Sequence, residues 1–246
     1  MRKIVFFASI IFLVSIMVAG ALQHAVADKN KKATLPVLYY HAVNDKITGM
    51  EDLFVSPSEF EKQMEFLKNN KFTVITFDQI HEYKKIKNPI IITFDDGYED
   101  NYTYAYPILK KYGFKASIFL CTDFIDKPLY LKMNQIKEMN DLINMQSHTL
   151  SHPNLTDLND EQTEQELLDS KLKIEQMTDT KVKVLSYPLG DYDERVMKIA
   201  RKYYKYAVLN GEGMYSETDD DMQIRRFYIP RSMGMNEFKE EILNRP

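Results

Sequence analysis

The chain has no tryptophan and only one cysteine among its 246 residues. With Cys121 alone, no intramolecular disulfide can form, and the fold must rest on its packed core. Cys121 closes an apolar run, KASIFLC, where a small buried hydrophobe is expected and no chemistry is assigned to it. An excess of positive charge is also missing: 32 Lys and Arg against 36 Asp and Glu leave a net charge of −4. That balance argues against nucleic acid or any other polyanion as partner. Internal repeats and low-complexity segments are absent, while a hydrophobic content of 44% can furnish the core of one α/β domain.

The N-terminus stands apart. Arg2 and Lys3 precede an apolar run from Ile4 to about Leu22, and Ala25-Val26-Ala27 fits the small-residue rule for signal-peptidase cleavage. Residues 1–27 therefore read as a signal peptide. An uncleaved anchor is the alternative, because the run approaches the roughly 20 residues a membrane helix needs. Either topology puts the rest of the chain outside the cytoplasm, as a secreted protein or one on the extracellular face of a bacterial envelope. Loss of this segment, which carries two positive charges and no acids, would take the net charge from −4 to −6. Residues 28–34 form a polar, Lys-rich linker, and residues 35–246 read as one domain.

Strand and helix patterns alternate along that domain. Strands are expected at LPVLYYHAV (35–43), FTVITF (72–77), IIITF (90–94), KASIFL (115–120), LINMQSH (142–148), VKVLSYP (182–188), YAVL (206–209) and IRRFYIP (224–230). Helices are expected at 56–69, in a short stretch through Tyr83, and at 99–112, 134–140, 160–177, 193–204 and 236–243. Such alternation means a mainly parallel sheet, open or closed into a barrel. In such folds reactive groups gather at the C-terminal ends of strands. The polar residues at those ends are His41, Asp95 with Asp96, His148, and the turn Pro188-Leu189-Gly190-Asp191, whereas strand interiors are nearly all apolar.

The stretch IIITFDDGY (90–98) is the organising element. An apolar strand buried on both faces has no ordinary use for two adjacent carboxylates. Asp-Asp-Gly can be a plain turn. If the chain is still extended, Asp95 and Asp96 point to opposite sides; if it is already turning, both can reach one cavity. His148 and His152 in HTLSHP are four apart, and on a helical turn both imidazoles would share one face and could grip one metal. With Asp96 they make a three-ligand site with open positions for water and substrate, the pattern of a catalytic zinc-like ion.

TFDDGY (93–98) and HTLSHP (148–153) resemble the first two motifs of the polysaccharide deacetylases, the NodB-homology or carbohydrate esterase family 4 enzymes. The resemblance runs from Leu35 to the C-terminus. It implies a distorted (β/α)7 barrel and metal-dependent removal of N- or O-acetyl groups from sugars. It further implies Asp95 as general base, Asp96, His148 and His152 as metal ligands, and LSYPLG (185–190) as the third motif, with the Leu189 N–H helping to hold the oxyanion. The metal would be one divalent ion, zinc (Zn2+) first, with cobalt, nickel or iron as substitutes.

Two departures from the commoner pattern stand out. Ser186 occupies the place of an arginine, and no histidine follows His152, so the family's late acid is absent. His41 is then the best available general acid, with Asp191 as the carboxylate that keeps it charged. The early Tyr-His and the late YIPR (228–231) are similar to the poly-N-acetylglucosamine deacetylase branch. Arg231 is expected to replace the lost arginine and orient Asp95 through a charge-assisted bond. Tyr98, Tyr187 and Tyr192 are expected to flank the site and stack on sugar rings, since without tryptophan a sugar platform must be Tyr or Phe.

The activity so implied is N-deacetylation of an extracellular or cell-wall N-acetylglucosamine polymer by a monomeric protein. The alternatives are an O-acetyl esterase acting on a polymer such as xylan, and a silent sugar-binding module on the same scaffold. Intact Asp95, Asp96, His148 and His152 speak against the last. A metal phosphoesterase would want more ligands for a second ion than the sequence offers.

Overall fold

Successive residues of a strand face opposite sides of a sheet, and that alternation builds this molecule. The computed structural model describes residues 34–211 and 213–243. The signal-peptide or anchor segment and all but the last residue of the linker lie outside them. Among the described residues no helix is long and apolar enough to cross a membrane.

The described residues form ten strands: β1 (Val37–Tyr40), β2 (Ala42–Val43), β3 (Phe54–Val55), β4 (Thr73–Val74), β5 (Pro89–Phe94), β6 (Ala116–Leu120), β7 (Ile143–Ser147), β8 (Val184–Ser186), β9 (Tyr206–Val208) and β10 (Phe227–Tyr228). All named pairings are parallel. The main sheet runs β10-β1-β5-β6-β7-β8-β9, with β4 on β5, and β2-β3 form a separate pair. Ile224 bridges to Val208 of β9 while Phe227 pairs with Leu38 of β1. One short segment thus spans from the last stave to the first and closes the distorted (β/α)7 barrel. The expected strand over 224–230 is accordingly reduced to a bridge and a two-residue strand.

The described α-helices are α1 (Pro57–Asn69), α2 (Tyr106–Tyr112), α3 (Met133–Glu138), α4 (Asp160–Thr178), α5 (Glu194–Ala200) and α6 (Met235–Leu243). Helix α1 starts where the sequence signals it: the Ser56 hydroxyl accepts from the Glu59 N–H and Pro57 fills the first turn. Its buried stripe of Phe60, Met64 and Leu67 packs on the outside of the barrel. The helix expected over 99–112 opens instead with a π turn at Asn101–Ala105 before α2 begins.

Two apolar cores follow from the alternation. Leu38, Tyr40, Ile90, Ile92, Phe94, Ile118, Leu120, Met145 and Leu185 belong to the outer core, shared with the helices. Val37, Ile91, Phe119, Val184, Tyr206, Val208 and Ile224 belong to the inner core that fills the barrel. The inward rows therefore run 37-39-41, 91-93-95, 117-119-121, 144-146-148, 184-186, 206-208-210 and 224-226-228. Each row that starts apolar or neutral ends, at the C-terminal edge, in a residue of a different kind: His41, Asp95, Cys121, His148, Ser186, Asn210 and Tyr228.

Candidate active site

Asp95 is the inward continuation of β5 and is fully buried. Asp96 would face outward if the strand went on, but its φ of 70° and that of Gly97, 76°, turn the chain there, so Asp96 lines the cavity with His148 while Asp95 lies buried behind it, its Oδ2 3.8 Å from His148 Nε2. Aspartate tolerates this left-handed conformation better than most residues. At Gly97 a side chain is barred twice, by φ and by Leu120 Cδ2, which would lie 2.7 Å from a Cβ.

Asp96 Oδ1 lies 3.5 Å from His148 Nε2 and 3.6 Å from His152 Nε2. Two ligand atoms about 2.0 to 2.1 Å from one ion stand roughly 3.3 to 3.6 Å apart for angles between tetrahedral and trigonal. Both distances from Asp96 thus fit one zinc-sized cation, and the ligand atoms of all three side chains lie within 4.8 Å of one another. His148 Nδ1 and the Ser186 carbonyl oxygen are 2.8 Å apart. A carbonyl accepts only, so Nδ1 carries the proton and Nε2 keeps its lone pair for the cluster. The expected helical turn across HTLSHP is not what joins the two histidines. Residues 148–153 form a loop, in which Thr149 has φ 69° and His152 φ 63°, and this loop brings the rings to 4.7 Å between centroids. Cys121 also belongs to the cluster, its Sγ within 4.8 Å of the other ligand atoms. Its thiol donates to the His148 carbonyl at 3.2 Å, and burial holds it well above its ordinary pKa.

Arg231 is not at Asp95. Its Nη1 donates to the carbonyls of Phe54 at 2.7 Å and Asn44 at 3.3 Å, tying down the loop after β2. The clamp on Asp95 is Arg226, from the closing segment. Nη1 donates to Oδ1 and Nη2 to Oδ2, each at 2.8 Å, a bidentate pair with both side chains buried. Arg226 Nε donates to Leu209 O at 3.0 Å and Nη2 to Asn210 Oδ1 at 3.0 Å, and its guanidinium lies 3.9 Å from the Tyr39 ring centroid. Ser186, at the position of the missing arginine, donates its hydroxyl to Asp95 Oδ2 at 2.9 Å and accepts from Arg226 Nη2 at 3.0 Å. A small hydroxyl at 186 leaves room for a guanidinium that arrives from another stave.

Burial alone would push the Asp95 carboxyl up, but the Arg226 charge and hydrogen bonds, with His148 and His41, outweigh it. Asp95 is held well below the usual carboxylate range. Asp96 has no such clamp. Burial raises it, His148 counters in part, and the Asp95 charge adds to the rise, leaving it at about 6. Burial lowers His148 and His152, so both imidazoles are neutral at neutral pH.

His41 stands on the same cavity wall, its carbonyl held by Asn101 Nδ2 at 2.8 Å. The expected carboxylate neighbour is not there. Asp191 accepts from Asn154 Nδ2 at 3.2 Å, and the His41 ring meets the Tyr39 hydroxyl instead, 2.8 Å from Nε2. Burial lowers His41 to about 4, with the Asp95 charge opposing and Arg226 reinforcing, so the resting ring is neutral.

The cavity of about 340 Å³ is lined by Tyr39, Asp96, His148, His152, Leu189 and Tyr228 among others. Leu189 has φ 61°, its side chain is exposed, and no described carbonyl takes its N–H. Of the tyrosines expected around the site, Tyr187 is fully buried in the outer core, stacked on Tyr192 with centroids 5.1 Å apart. Tyr192 accepts from Gln223 Nε2, and neither ring lines the cavity. Tyr98 stands beside it, hydrogen-bonded to Asp96 and stacked on Tyr130 at 5.3 Å. Tyr39 and Tyr228, from the inward rows, are the aromatic lining.

These features, a buried carboxylate–guanidinium pair beside an Asp-His-His group at the mouth of a parallel barrel, go with the sequence match: residues 82–208 fit the polysaccharide deacetylase family, to which the chain belongs. It is an enzyme of that hydrolase class. Across 85% of the chain it is 35% identical to YxkH of Bacillus subtilis (strain 168), covering 76% of that protein, whose name places it in the same family. The poly-beta-1,6-N-acetyl-D-glucosamine N-deacetylase of Staphylococcus aureus (strain MRSA252) is 28% identical over 78% of the chain and 71% of its own length. A crystal structure of a polysaccharide deacetylase from Bacillus cereus superposes with a TM-score of 0.81 and 34% identity, over 86% of this chain and 69% of that one. The Streptococcus pyogenes deacetylase PplD, in complex with acetate, gives 0.81 and 26% over 86% and 99%.

Proposed function

We propose that the chain removes N-acetyl groups from an N-acetylglucosamine polymer outside the cytoplasm, with Asp95 as base, His41 as acid and Asp96, His148 and His152 as holders of one divalent ion, zinc first. The observation that carries this reading is the buried carboxylate of Asp95, clamped by Arg226, set beside Asp96, His148 and His152 on the wall of a cavity. A divalent cation, when bound, acts as a Lewis acid on the acetyl carbonyl and on water.

Asp95 Oδ2 accepts the proton of the attacking water. Burial beside Asp96 would otherwise keep Asp95 protonated; Arg226 trades basicity for constant presence of the ionised form. The Leu189 N–H donates to the oxyanion that develops on the acetyl group. His41 hands a proton to the departing nitrogen, which an amide requires and an activated ester does not. Its ring is neutral at rest and must gain that proton before the nitrogen departs; the Asp95 charge favours the gain.

Support for the polymer comes from the similarity to the Staphylococcus aureus N-deacetylase, and support for an extracellular site from residues 1–27. The test is acetate release from N-acetylglucosamine oligomers, peptidoglycan and acetylated xylan, with and without chelator. Release from the first, abolished by chelation, is expected; release from xylan alone would make the chain an O-acetyl esterase. Metal analysis of His148→Ala should show most of the ion gone, and equal content in both proteins would remove His148 from the site.

A further inference from the structure

Asn210 is the part of the cavity wall to which the proposed reaction gives no task. It is the first inward position beyond β9, after Tyr206 and Val208, and it lines the cavity with Asp96, His148 and Leu189. The orientation of its amide follows from chemistry. Arg226 Nη2 lies 3.0 Å from Oδ1, and a guanidinium only donates, so the oxygen faces Arg226 and the nitrogen is turned from it. No described residue accepts a hydrogen bond from that Nδ2. The opposite turn makes room for it: a Cβ at Gly190, where φ is +77°, would stand 2.9 Å from Asn210 Cβ and 3.3 Å from Nδ2. An amide anchored through its oxygen, with its nitrogen free on the wall of a cavity, is a preset donor.

We propose that Asn210 Nδ2 hydrogen-bonds a neutral oxygen of the acetylated sugar, so that Arg226 fixes a substrate-binding donor with one nitrogen while it holds the base with two. An apolar group laid over Nδ2 would strip its water and leave the donor unpaired, and sites that must pair such a donor discriminate strongly for an acceptor. Two oxygens meet the description: a hydroxyl or ring oxygen of the sugar, and the acetyl carbonyl near the Leu189 N–H. The inference rests on the deacetylase reading above.

Asn210→Asp tests it, because the carboxylate is nearly isosteric, keeps an oxygen for Arg226 and replaces the donor with an acceptor. Asn210→Ala removes both. Wild type and variants are compared for kcat and KM on N-acetylglucosamine oligomers, for hydrolysis of 4-nitrophenyl acetate, for oligomer affinity by calorimetry, and for the acid limb of the pH–rate profile. Expected for Asn210→Asp is a tenfold or greater rise in KM with a matching loss of affinity; its added negative charge beside Arg226 also moves the acid limb, so the uncharged Asn210→Ala, whose acid limb should stay in place, is the variant that shows the Arg226–Asp95 pair intact. A larger loss on oligomers than on the ester assigns the bond to a sugar oxygen; equal losses, falling on kcat, assign it to the carbonyl. An Asn210→Asp enzyme with wild-type KM, kcat and affinity, whatever Asn210→Ala does, would reduce Asn210 to a support for Arg226 and overturn the proposal. Wild-type protein that binds oligomers without releasing acetate overturns the deacetylase reading alone, and the affinity comparison still decides Asn210. Wild-type protein that binds no oligomer overturns both.

Discussion

The two ends of the barrel carry cavities of similar size and opposite character. At the N-terminal ends of the strands a cleft of about 260 Å³ is lined by Thr76, Asp78, Lys115, Asn144, Thr180 and Lys183. It is polar, yet its charges are wet: Lys183 and Asp78 pair with 45% and 52% of their side chains exposed. At the C-terminal ends Arg226 and Asp95 pair at 0% and 1% exposure. A wet pair is worth about 0 to 1 kcal/mol, whereas removing one partner of a buried pair costs about 3 to 5 kcal/mol. Polarity is common to both ends. What marks the upper one is charge taken out of water and then held by partners, an arrangement that costs stability unless every partner is present.

The largest contrast should appear in turnover. Asp95→Asn keeps the shape but sets an amide NH2 against one Arg226 donor and cannot take a proton, so acetate release should fall by about 10² to 10⁴ with metal content unchanged; retention of a tenth of the activity would point to another base. Arg226→Met comes next. It strands a buried carboxylate and should lower stability by about 3 to 5 kcal/mol in denaturant titrations, with the acid limb of any remaining activity moved to higher pH. Arg231→Ala, at the position expected from sequence to hold Asp95, should cost about 1 kcal/mol and leave that limb alone, since its partners are two carbonyls and the exposed Glu51 carboxylate, none of them at Asp95.

A smaller effect follows from His41, whose folded pKa of about 4 lies below the unfolded value near 6.5. Its contribution is complete above pH 6.5 and is lost as pH falls from there through about 4, by up to roughly 3 kcal/mol. Asp96 works in the other direction: raised to about 6, it loses its contribution as pH rises from about 4 through 6. In metal-free protein, His41→Gln should therefore flatten the acid side of the stability curve relative to wild type. An unchanged curve would mean that His41 is not buried neutral. The smallest effect belongs to the other end of the barrel. Lys183→Ala should change stability by less than about 1 kcal/mol and activity not at all, and a large loss of turnover there would dissolve the distinction between the two ends.

Much of this was legible in the sequence. Asp96, His148, His152, His41 and Leu189 meet in one cavity, with Asp95 buried behind His148, because strand ends converge, and their spacing already set them apart. The helical-turn account of HTLSHP failed because φ above zero at Thr149 and His152 leaves no trace in propensity. Arg231 was the wrong arginine, yet the right one was readable: Ile224, Arg226 and Tyr228 alternate onto the inner face, which Arg231 does not share. The same parity puts Val184 and Ser186 inside and so sends Tyr187 outward, and it reaches Asn210 from Tyr206 and Val208. Asp191 and Tyr192 sit beyond a turn, where no periodicity runs, and only the coordinates place them.

Closure of the barrel by the segment around Arg226 also has a meaning in time. Asp95 and Arg226 lie 131 residues apart, so a chain made from its N-terminus displays both carboxylates and both histidines long before the arginine arrives. Until then Asp95 has no cation to keep it ionised beside Asp96, and the first stave lacks β10. The order of synthesis thus leaves Asp95 without its cation until the segment around Arg226 is laid against β1.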